Sequence, residues 1–463
     1  MRLLPAGLTT AAIALMLSPA RGLQADPDQT PDFIVTAAPA YTSLAELSGQ
    51  ERFPKGAQLL LVHAGNAEAL VDGFAASADA NVSFDGQTVL FAGKRSVGDP
   101  WQIWELTLKD RTVRKVTDTS TDAERPFYLP GGRMVWAQRT AAGFQLQSSD
   151  DGHPAPKFLN PTAGPGIFPL TYAGTNAFPA DVLHDGRILI EAGFPLGTGT
   201  TPEMFLVYAD GSGLESVRCD HGRSRWGGTQ LASGDVVFTH GTTLARFTSA
   251  MTHEVQVPAP RGVYAGAIAE IDSGAWLLSV RTTNEPKFAI KIWTPGQAEM
   301  QTVLAKRGED LVEPVLVAPR ARPNRHPSGL HPWDYANLLA LDARVSRDGD
   351  LKGKPVSVRL EAKDAKGRAV ALGTAPVEKD GSFFVKVPAD RPIRFELLDF
   401  RGTVLRQEHG WFWARGGEQR ICVGCHAGPE RASENRVPDV LMRTTEPSDL
   451  TGTKAVAAAL GGN

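Results

Sequence analysis

Between about residues 81 and 319 the chain repeats one pattern, in which a polar turn containing glycine is followed by a strand of alternating or continuous apolar residues. Five copies align, at FDGQTVLFAG (84–93), LPGGRMVWAQ (129–138), LHDGRILIEA (183–192), LASGDVVFTH (231–240) and IDSGAWLLSV (271–280). The turn glycines recur about every 40 to 54 residues, which is typical of four-stranded propeller blades. A second short strand follows each copy and helical periodicity is almost absent, so the pattern predicts an all-β fold.

The spacing favours a β-propeller of six blades over residues 26–319, with seven blades as the alternative. The segments QLLLVHA (58–64) and VEPVLVAP (312–319) lie near the two ends of this region and could pair in a composite blade. An irregular β-sandwich would explain the strands but not their near-equal spacing.

From Arg320 the pattern changes. Residues 320–337 are rich in Pro, Arg and His, which is typical of a linker. Alternating strands return at LLALDARVS (338–346), KPVSVRLEA (354–362), GSFFVKVPA (381–389) and IRFELLD (393–399). They predict a small β-sandwich over residues 338–415, which leaves 416–463 as a short C-terminal segment and tail.

The N-terminus has the features of a secretion signal. Arg2 precedes an apolar stretch, 3–17, that is too short and broken to span a bilayer comfortably. We therefore expect residues 1–25 to be a signal peptide and the mature protein to be periplasmic or otherwise exported, without a stable membrane span; an uncleaved anchor is the alternative. With 48 basic and 51 acidic residues, the charge gives no indication of a nucleic-acid partner.

Two of the three cysteines belong to the motif Cys422-Val-Gly-Cys425-His426. C-x-x-C-H is the attachment sequence of c-type haem, in which both cysteines form thioethers and the histidine ligates the iron. A thioredoxin-like pair would need a βαβ context, and a zinc site would need further paired ligands. The sequence therefore predicts one covalent haem c. The third cysteine, Cys219, is interpreted as a small buried or free thiol.

The chemistry of such a haem depends on its sixth ligand, which the spacing does not fix. The candidates within reach of the C-terminal domain are His326, His331, His409 and Met442. A histidine gives a low-potential electron carrier, a methionine a higher potential, and an open position admits small ligands or peroxide. Trp411, Trp413 and Arg415 alternate on one strand face and could pack against the porphyrin or form ordinary core.

Several segments together resemble a known family: NVSFDGQTVLFAG (81–93), LPGGRMVWAQR (129–139), LLALDARVS (338–346), VEKDGSFFVKVPADRPIRFELLD (377–399) and RICVGCHAGPERASENRVP (420–438). The chain resembles hydrazine synthase alpha-subunit-related proteins. The resemblance implies a TolB-like six-bladed propeller as the middle domain and a C-terminal domain with one c-type haem. Cys422, Cys425 and His426 match that haem site, which in the family is a bis-histidine electron-transfer centre. The family's active-site haem lies in an additional N-terminal domain, and this sequence has no second haem motif, so hydrazine synthesis is not implied.

Three functions stay open at this point. The first is an exported monohaem c-type cytochrome that transfers one electron to or within a redox complex, with the propeller as docking platform for a redox partner. The second is an open-site, peroxidase-like haem enzyme. The third is a ligand- or partner-binding propeller with a structural or sensory haem. The sequence has no nucleotide-binding loop, serine-hydrolase elbow or zinc-protease motif, so no catalytic residue is predicted.

Overall fold

The protein is built almost entirely from β-strands. The computed structural model describes residues 30–149, 166–218, 220–249, 252–346, 349–364, 366–424 and 436–452. Within these ranges the helical elements are a 3₁₀ turn at Ala45–Ser48 and one short α-helix, α1, at Asp439–Arg443. The all-β prediction is confirmed.

Six antiparallel sheets follow one another along the chain. Blade 1 contains β1 (Phe33–Ala38), β2 (Gln58–His63) and β3 (Asn66–Ala69). Blade 2 contains β4 (Ala76–Val82), β5 (Thr88–Lys94), β6 (Gln102–Thr107) and β7 (Val113–Lys115). Blade 3 contains β8 (Ala123–Tyr128), β9 (Met134–Thr140), β10 (Gly143–Ser149) and β11 (Ile167–Pro169). Blade 4 contains β12 (Ala177–Val182), β13 (Ile188–Phe194), β14 (Thr201–Val207) and β15 (Glu215–Ser216). Blade 5 contains β16 (Arg225–Gln230), β17 (Val236–His240), β18 (Thr243–Phe247) and β19 (Glu254–Gln256). Blade 6 contains β20 (Val263–Tyr264), β21 (Ala269–Glu270), β22 (Trp276–Thr282), β23 (Glu285–Trp293) and β24 (Gln301–Leu304).

The ring is closed by the last propeller strand, β25 (Asp310–Leu316), which pairs with β1 and completes blade 1 in the order β25-β1-β2-β3. The six-bladed propeller is therefore confirmed. The predicted composite blade also exists, but its two segments do not pair with each other, because β1 lies between them. All six residues of β1 are buried, and a strand buried on both faces lacks the alternation that marks a strand in the sequence.

A network of buried charges joins the blades at one end of the propeller. The segment 39–57, which connects β1 to β2, carries Arg52, whose guanidinium pairs with Asp79 of β4 and Glu313 of β25. Arg125 of β8 pairs with Glu46 from the same segment and, at 3.0 Å, with Glu191 of β13. Because a buried charge is costly unless it is paired, these contacts hold four blades and the segment in one arrangement.

The linker after β25 runs across the opposite end of the blades, over the turns that join their first and second strands. The backbone N–H of Arg320 donates to Phe84 O in blade 2 at 2.9 Å, and that of Asn324 donates to His184 O in blade 4 at 2.8 Å. The approach is so close that a Cβ built at Gly186 would lie 2.1 Å from the carbonyl oxygen of Asn324. Glycine is therefore needed at this turn for the linker as well as for its positive φ.

Two further sheets form a β-sandwich after the linker. The first has the order β32-β26-β29-β33 and contains β26 (Tyr335–Ala340), β29 (Phe383–Pro388), β32 (Gln419–Cys422) and β33 (Ser448–Asp449). The second has the order β28-β27-β30-β31 and contains β27 (Ser357–Lys363), β28 (Ala369–Pro376), β30 (Ile393–Leu398) and β31 (Val404–Gln407). Their inner faces share a core that includes Leu338, Val358, Leu360, Val385 and Phe395. No helix in the described part of the chain is long and apolar enough to cross a membrane.

The close contact at Gly186 can be separated from the strain of its backbone. Gly132 has a similar positive φ in the equivalent turn of blade 3, but a Cβ there would meet no atom within 4 Å. We expect Gly132→Ala to lower the free energy of unfolding by about 1 to 2 kcal/mol through strain alone. Gly186→Ala should lower it by about 1 to 3 kcal/mol more, because the linker must move. Equal losses in urea unfolding would show that the linker contact contributes nothing.

The charge network predicts a stability that falls as the pH rises. Glu124 lines a small cavity beside Arg52 and Asp79, and burial raises the pKa of Glu124 to about 8 from 4.5. Between these values the folded protein holds a proton that the unfolded chain has released, so the free energy of unfolding decreases from about pH 5 to pH 8. We expect Glu124→Gln to flatten this decrease in urea unfolding, and exposed Glu299→Gln to preserve it. The idea fails if the free energy of unfolding decreases with pH equally steeply in both variants.

Candidate functional site

Cys422 is the last residue of an edge strand at one end of the sandwich. Strand β32 runs parallel to β26, so that Cys422 lies beside Ala340, and the N–H of Leu341 donates to Cys422 O at 2.9 Å. The chain then passes close to the following loop, since a Cβ at Gly424 would lie 2.9 Å from the carbonyl oxygens of Asp342 and Val345. Cys425 and His426 lie outside the described residues, so the structure places the first part of the C-x-x-C-H motif only.

The chain re-enters the described structure at the same end of the sandwich. Arg436 pairs with Asp380, and the N–H of Asp439 donates to the same carboxylate at 2.8 Å. Asp380 lies in the turn before β29, whose first residue, Phe383, is opposite Ala340. Although burial works in the other direction, hydrogen bonds from Asp439, Ser382 and Arg436 lower the pKa of Asp380. Both ends of the segment 425–435 are therefore held at one end of the sheet.

The two faces of β32 differ in character. Gln419 and Ile421 point to the outer face, where Ile421 is 66% exposed and continues a row with Leu339 and Phe384 across three strands. Because side chains alternate along a strand, Cys422 shares the other face with Arg420. Exposed apolar side chains thus lie at the start of the segment 425–435 and also after its end, at Val437 and Met442.

Charged groups surround the half-buried thiol of Cys422. Burial raises the pKa of this thiol, Arg420 lowers it, and Glu408 and Glu418 raise it. Arg420 itself forms an ion pair with Glu418 at 2.7 Å. The free thiol is therefore neutral at ordinary pH. Glu408, Glu418 and Arg420 were not identified from the sequence as neighbours of the thiol. The available signal was that Arg420 stands two residues before Cys422 and so points to the same face of the strand.

The structure separates the two linker histidines. His331 stacks on Trp333 with ring centroids 4.4 Å apart, and its Nε2 lies 3.1 Å from the amide nitrogen of Gln419. It is thus on the outer face of β32, whereas Cys422 belongs to the other face and lies three residues, roughly 10 Å, further along the strand. His326 instead packs edge-on against Tyr208 of the propeller, with centroids 4.9 Å apart.

A chain of contacts leads from His326 to the face of Cys422. The ring of Tyr208 lies against Gly213, and the N–H of Gly213 donates to Glu418 at 3.1 Å. Glu418 in turn pairs with Arg420, which shares a strand face with Cys422. The structure does not bring His326 and His331 together on one side of the strand.

The remaining candidate ligands are exposed. Met442 is 76% exposed on α1. His409 is exposed in the connection after β31, next to Glu408, whose charge acts on Cys422. Over the described ranges, no group of three or more His, Cys, Asp or Glu side chains is arranged to hold a metal ion. The haem residues and the sixth ligand therefore stay predictions.

The aromatic residues before β32 form core rather than a surface for a porphyrin. Trp413 is fully buried against blades 3 and 4, and its Nε1–H donates to Gly211 O at 3.1 Å. Arg415 is also fully buried, with Nε 2.9 Å from Asp390. Trp411 is buried too, and its backbone N–H donates to Leu196 O in the propeller at 2.7 Å. Of the two roles considered from the sequence, packing in the core is correct, and these residues join the sandwich to the propeller.

The fold and the site together define a class of protein, a six-bladed β-propeller joined to a β-sandwich whose edge strand begins a C-x-x-C-H motif. A sequence profile described as "Hydrazine synthase alpha subunit middle domain" matches residues 338–427. Over these residues the chain is similar to the alpha subunit of hydrazine synthase. The profile applies the term middle domain to the sandwich and the start of the C-terminal segment, so our expectation that the middle domain is the propeller is corrected.

Individual proteins agree with this assignment. Hydrazine synthase subunit alpha from Kuenenia stuttgartiensis is 28% identical over 99 residues, which cover 19% of this chain and 12% of that protein. A structure of Kuenenia stuttgartiensis hydrazine synthase matches with a TM-score of 0.76 at 16% identity, over 89% of this chain and 71% of the other. The structural likeness therefore covers propeller and sandwich, whereas the sequence likeness spans only a small part of the curated relative's length.

Proposed function

We propose that the protein is an exported monohaem c-type cytochrome that transfers one electron to or within a redox complex. The observation that carries the proposal is the C-x-x-C-H motif beginning at Cys422, on a strand that the propeller holds through buried contacts. Haem c, when bound through Cys422, Cys425 and His426, would supply one-electron chemistry at its iron.

The described residues around the motif fit a porphyrin. Cys422 is half-buried and neutral, so its thiol is available for a thioether bond. Val437 and Met442 expose apolar surface after the segment 425–435, and a porphyrin ring is a large apolar group that could cover such surface. These features support attachment at this end of the sandwich.

The charges near Cys422 favour the oxidised form of such a cofactor. Glu408 and Glu418 are acidic and only Arg420 is basic among the groups that act on the Cys422 thiol. Since an oxidised haem iron carries one more positive charge than a reduced one, a net negative surrounding stabilises it and lowers the reduction potential. This direction agrees with a low-potential electron carrier.

The propeller is proposed as the platform on which a redox partner docks. The protein from Kuenenia stuttgartiensis that is similar to part of this chain is described as a subunit, which supports a role alongside other proteins. Export is proposed because covalent haem attachment takes place outside the cytoplasm; residues 1–25, the expected signal peptide, lie outside the described ranges. Hydrazine synthesis is not part of the proposal.

Attachment can be tested with the three cysteines of the chain. When the protein is produced with c-type haem maturation machinery, we expect an intact mass that includes one haem. Cys422→Ala combined with Cys425→Ala should abolish covalent haem, because both thioether bonds are lost. Cys219→Ala is the matched control and should retain it. A parent protein without covalent haem, or a double variant that keeps it, would overturn the proposal.

The coordination of the iron separates electron transfer from catalysis. We expect a low-spin, six-coordinate spectrum that carbon monoxide does not change, because an occupied sixth position blocks ligand binding. Alanine variants are then recorded by optical and EPR spectroscopy at His326, His331, His409 and Met442. One of them should convert the iron to a high-spin form that binds carbon monoxide.

The control for this series is His63→Ala, an exposed histidine in blade 1 that pairs with Asp32. It should leave the spectrum unchanged. A high-spin parent protein that binds carbon monoxide would contradict the electron-carrier proposal and favour an open-site haem enzyme. A low-spin parent that none of the four substitutions alters would exclude these candidates as the ligand.

A further inference from the structure

A polar pocket of about 340 Å³ lies where the connection from β15 to β16 packs against blade 5. Arg218, Asp220 and Arg223 line it from the connection, and His240, His253 and Glu254 line it from the blade. Its volume is within the range of small-molecule sites, which is roughly 300 to 1,000 Å³. All of its lining residues belong to the propeller, so the pocket is separate from the C-x-x-C-H motif.

A buried arginine pairs with both carboxylates that line the pocket. Arg225 is 1% exposed and pairs with Glu203 at 3.4 Å, with Glu254 at 2.5 Å and with Asp220 at 3.0 Å. A charge buried this deeply needs such partners. The ion pairs of Arg225 in turn hold Asp220 and Glu254, the two carboxylates that line the pocket, in fixed positions.

Each oxygen of the two acidic groups in the pocket already has a protein partner. Oδ1 of Asp220 accepts from Arg218 at 3.1 Å, while Oδ2 faces Arg225 and, at 3.5 Å, Arg223. The two oxygens of Glu254 are taken by Arg225 and by Nδ1 of His240, which lies 2.6 Å away. These contacts make the two carboxylates less available to a cation or to a further hydrogen-bond donor.

The groups that remain for a ligand are mainly donors. Arg223 is 54% exposed and contacts Asp220 through Nε, so its two terminal nitrogens have no partner among the described residues. Arg218 uses Nε for Asp220 and Nη1 for Thr252 O, which leaves Nη2. The amide of Gln256 also lines the pocket, 3.4 Å from Nδ1 of His240. A planar guanidinium group can donate two parallel hydrogen bonds to two oxygens of a carboxylate or a phosphate.

His240 adds a group of fixed orientation. With Nδ1–H donating to Glu254, its Nε2 is the remaining ring nitrogen, which can accept a hydrogen bond from an O–H group of a ligand. A small oxyanion held by Arg218 and Arg223 would therefore meet a histidine oriented by Glu254.

We propose that this pocket is a binding site for a small oxyanion, carried on a phosphorylated or carboxylated metabolite, with Arg223 and Arg218 as its anchors and His240 as the oriented acceptor for an O–H group of the same molecule. The site does not depend on the haem, and its ligand would reach the propeller rather than the C-terminal segment.

The probes are inorganic phosphate and malonate, titrated calorimetrically into the mature full chain, with sodium chloride at matched ionic strength as reference. We expect saturable binding of at least one probe. Binding of phosphate alone assigns a phosphorylated ligand, and binding of malonate alone assigns a carboxylated one. Absence of saturable binding by both probes would overturn the proposal.

Variants locate the binding. Arg223→Gln should weaken it about tenfold, because a charge-assisted hydrogen bond to the oxyanion is lost. Arg223→Lys keeps the positive charge but lacks the planar guanidinium, so its affinity for the probe should lie between those of the parent protein and Arg223→Gln. Arg246→Gln is the matched control, because Arg246 is an exposed arginine of the same blade that pairs with Asp235 at 3.2 Å. Unchanged affinity in both Arg223→Gln and Arg218→Gln would place the binding elsewhere and refute the site.

Discussion

The position of the strand that carries Cys422 depends on one buried charge. Arg415 is completely enclosed between propeller and sandwich, where its guanidinium contacts Asp390 and donates to Pro169 O. Because a guanidinium in such surroundings is tolerated only with its partners in place, these contacts fix how the two units meet. Glu418 accepts from the N–H of Arg415 and from that of Gly213, and β32 begins at the next residue. The register of the candidate site is therefore set from the propeller.

The propeller is suited to this role because its ring is fixed at both ends. Strand β25 closes it by pairing with β1, and Arg52 joins that closing strand to blade 2 across the segment 39–57. At the other end the linker lies on the turns of blades 2 and 4, with Gly186 allowing its closest approach. A site built on rigid elements holds its groups more accurately than one built on loops.

The repeat and the haem motif could be predicted from the sequence because each is a local signal. Turn glycines mark the blades, and C-x-x-C-H requires only adjacent residues. The segment 39–57 could not be recognised, since Arg52 and Glu46 look like surface residues until their partners from distant blades are known. Trp413 and Arg415 showed a strand-like alternation, but only the tertiary structure reveals that the propeller covers them. The sixth ligand is undetermined for the same reason, because residues far apart in the sequence compete for it.

Two clusters of charge in the propeller show how a structural network differs from a binding site. In the network around Arg52, guanidiniums and carboxylates face each other in the interior, and the segment 39–57 excludes a ligand from them. In the polar pocket, the carboxylates are paired with buried Arg225 in the same way, but the exposed side chain of Arg223 keeps terminal donors that the described residues leave unused. Unused donors at an open rim do not stabilise the fold, since solvent would satisfy them equally well. Their value lies in what they can bind, and the surplus of donors over acceptors selects an oxyanion.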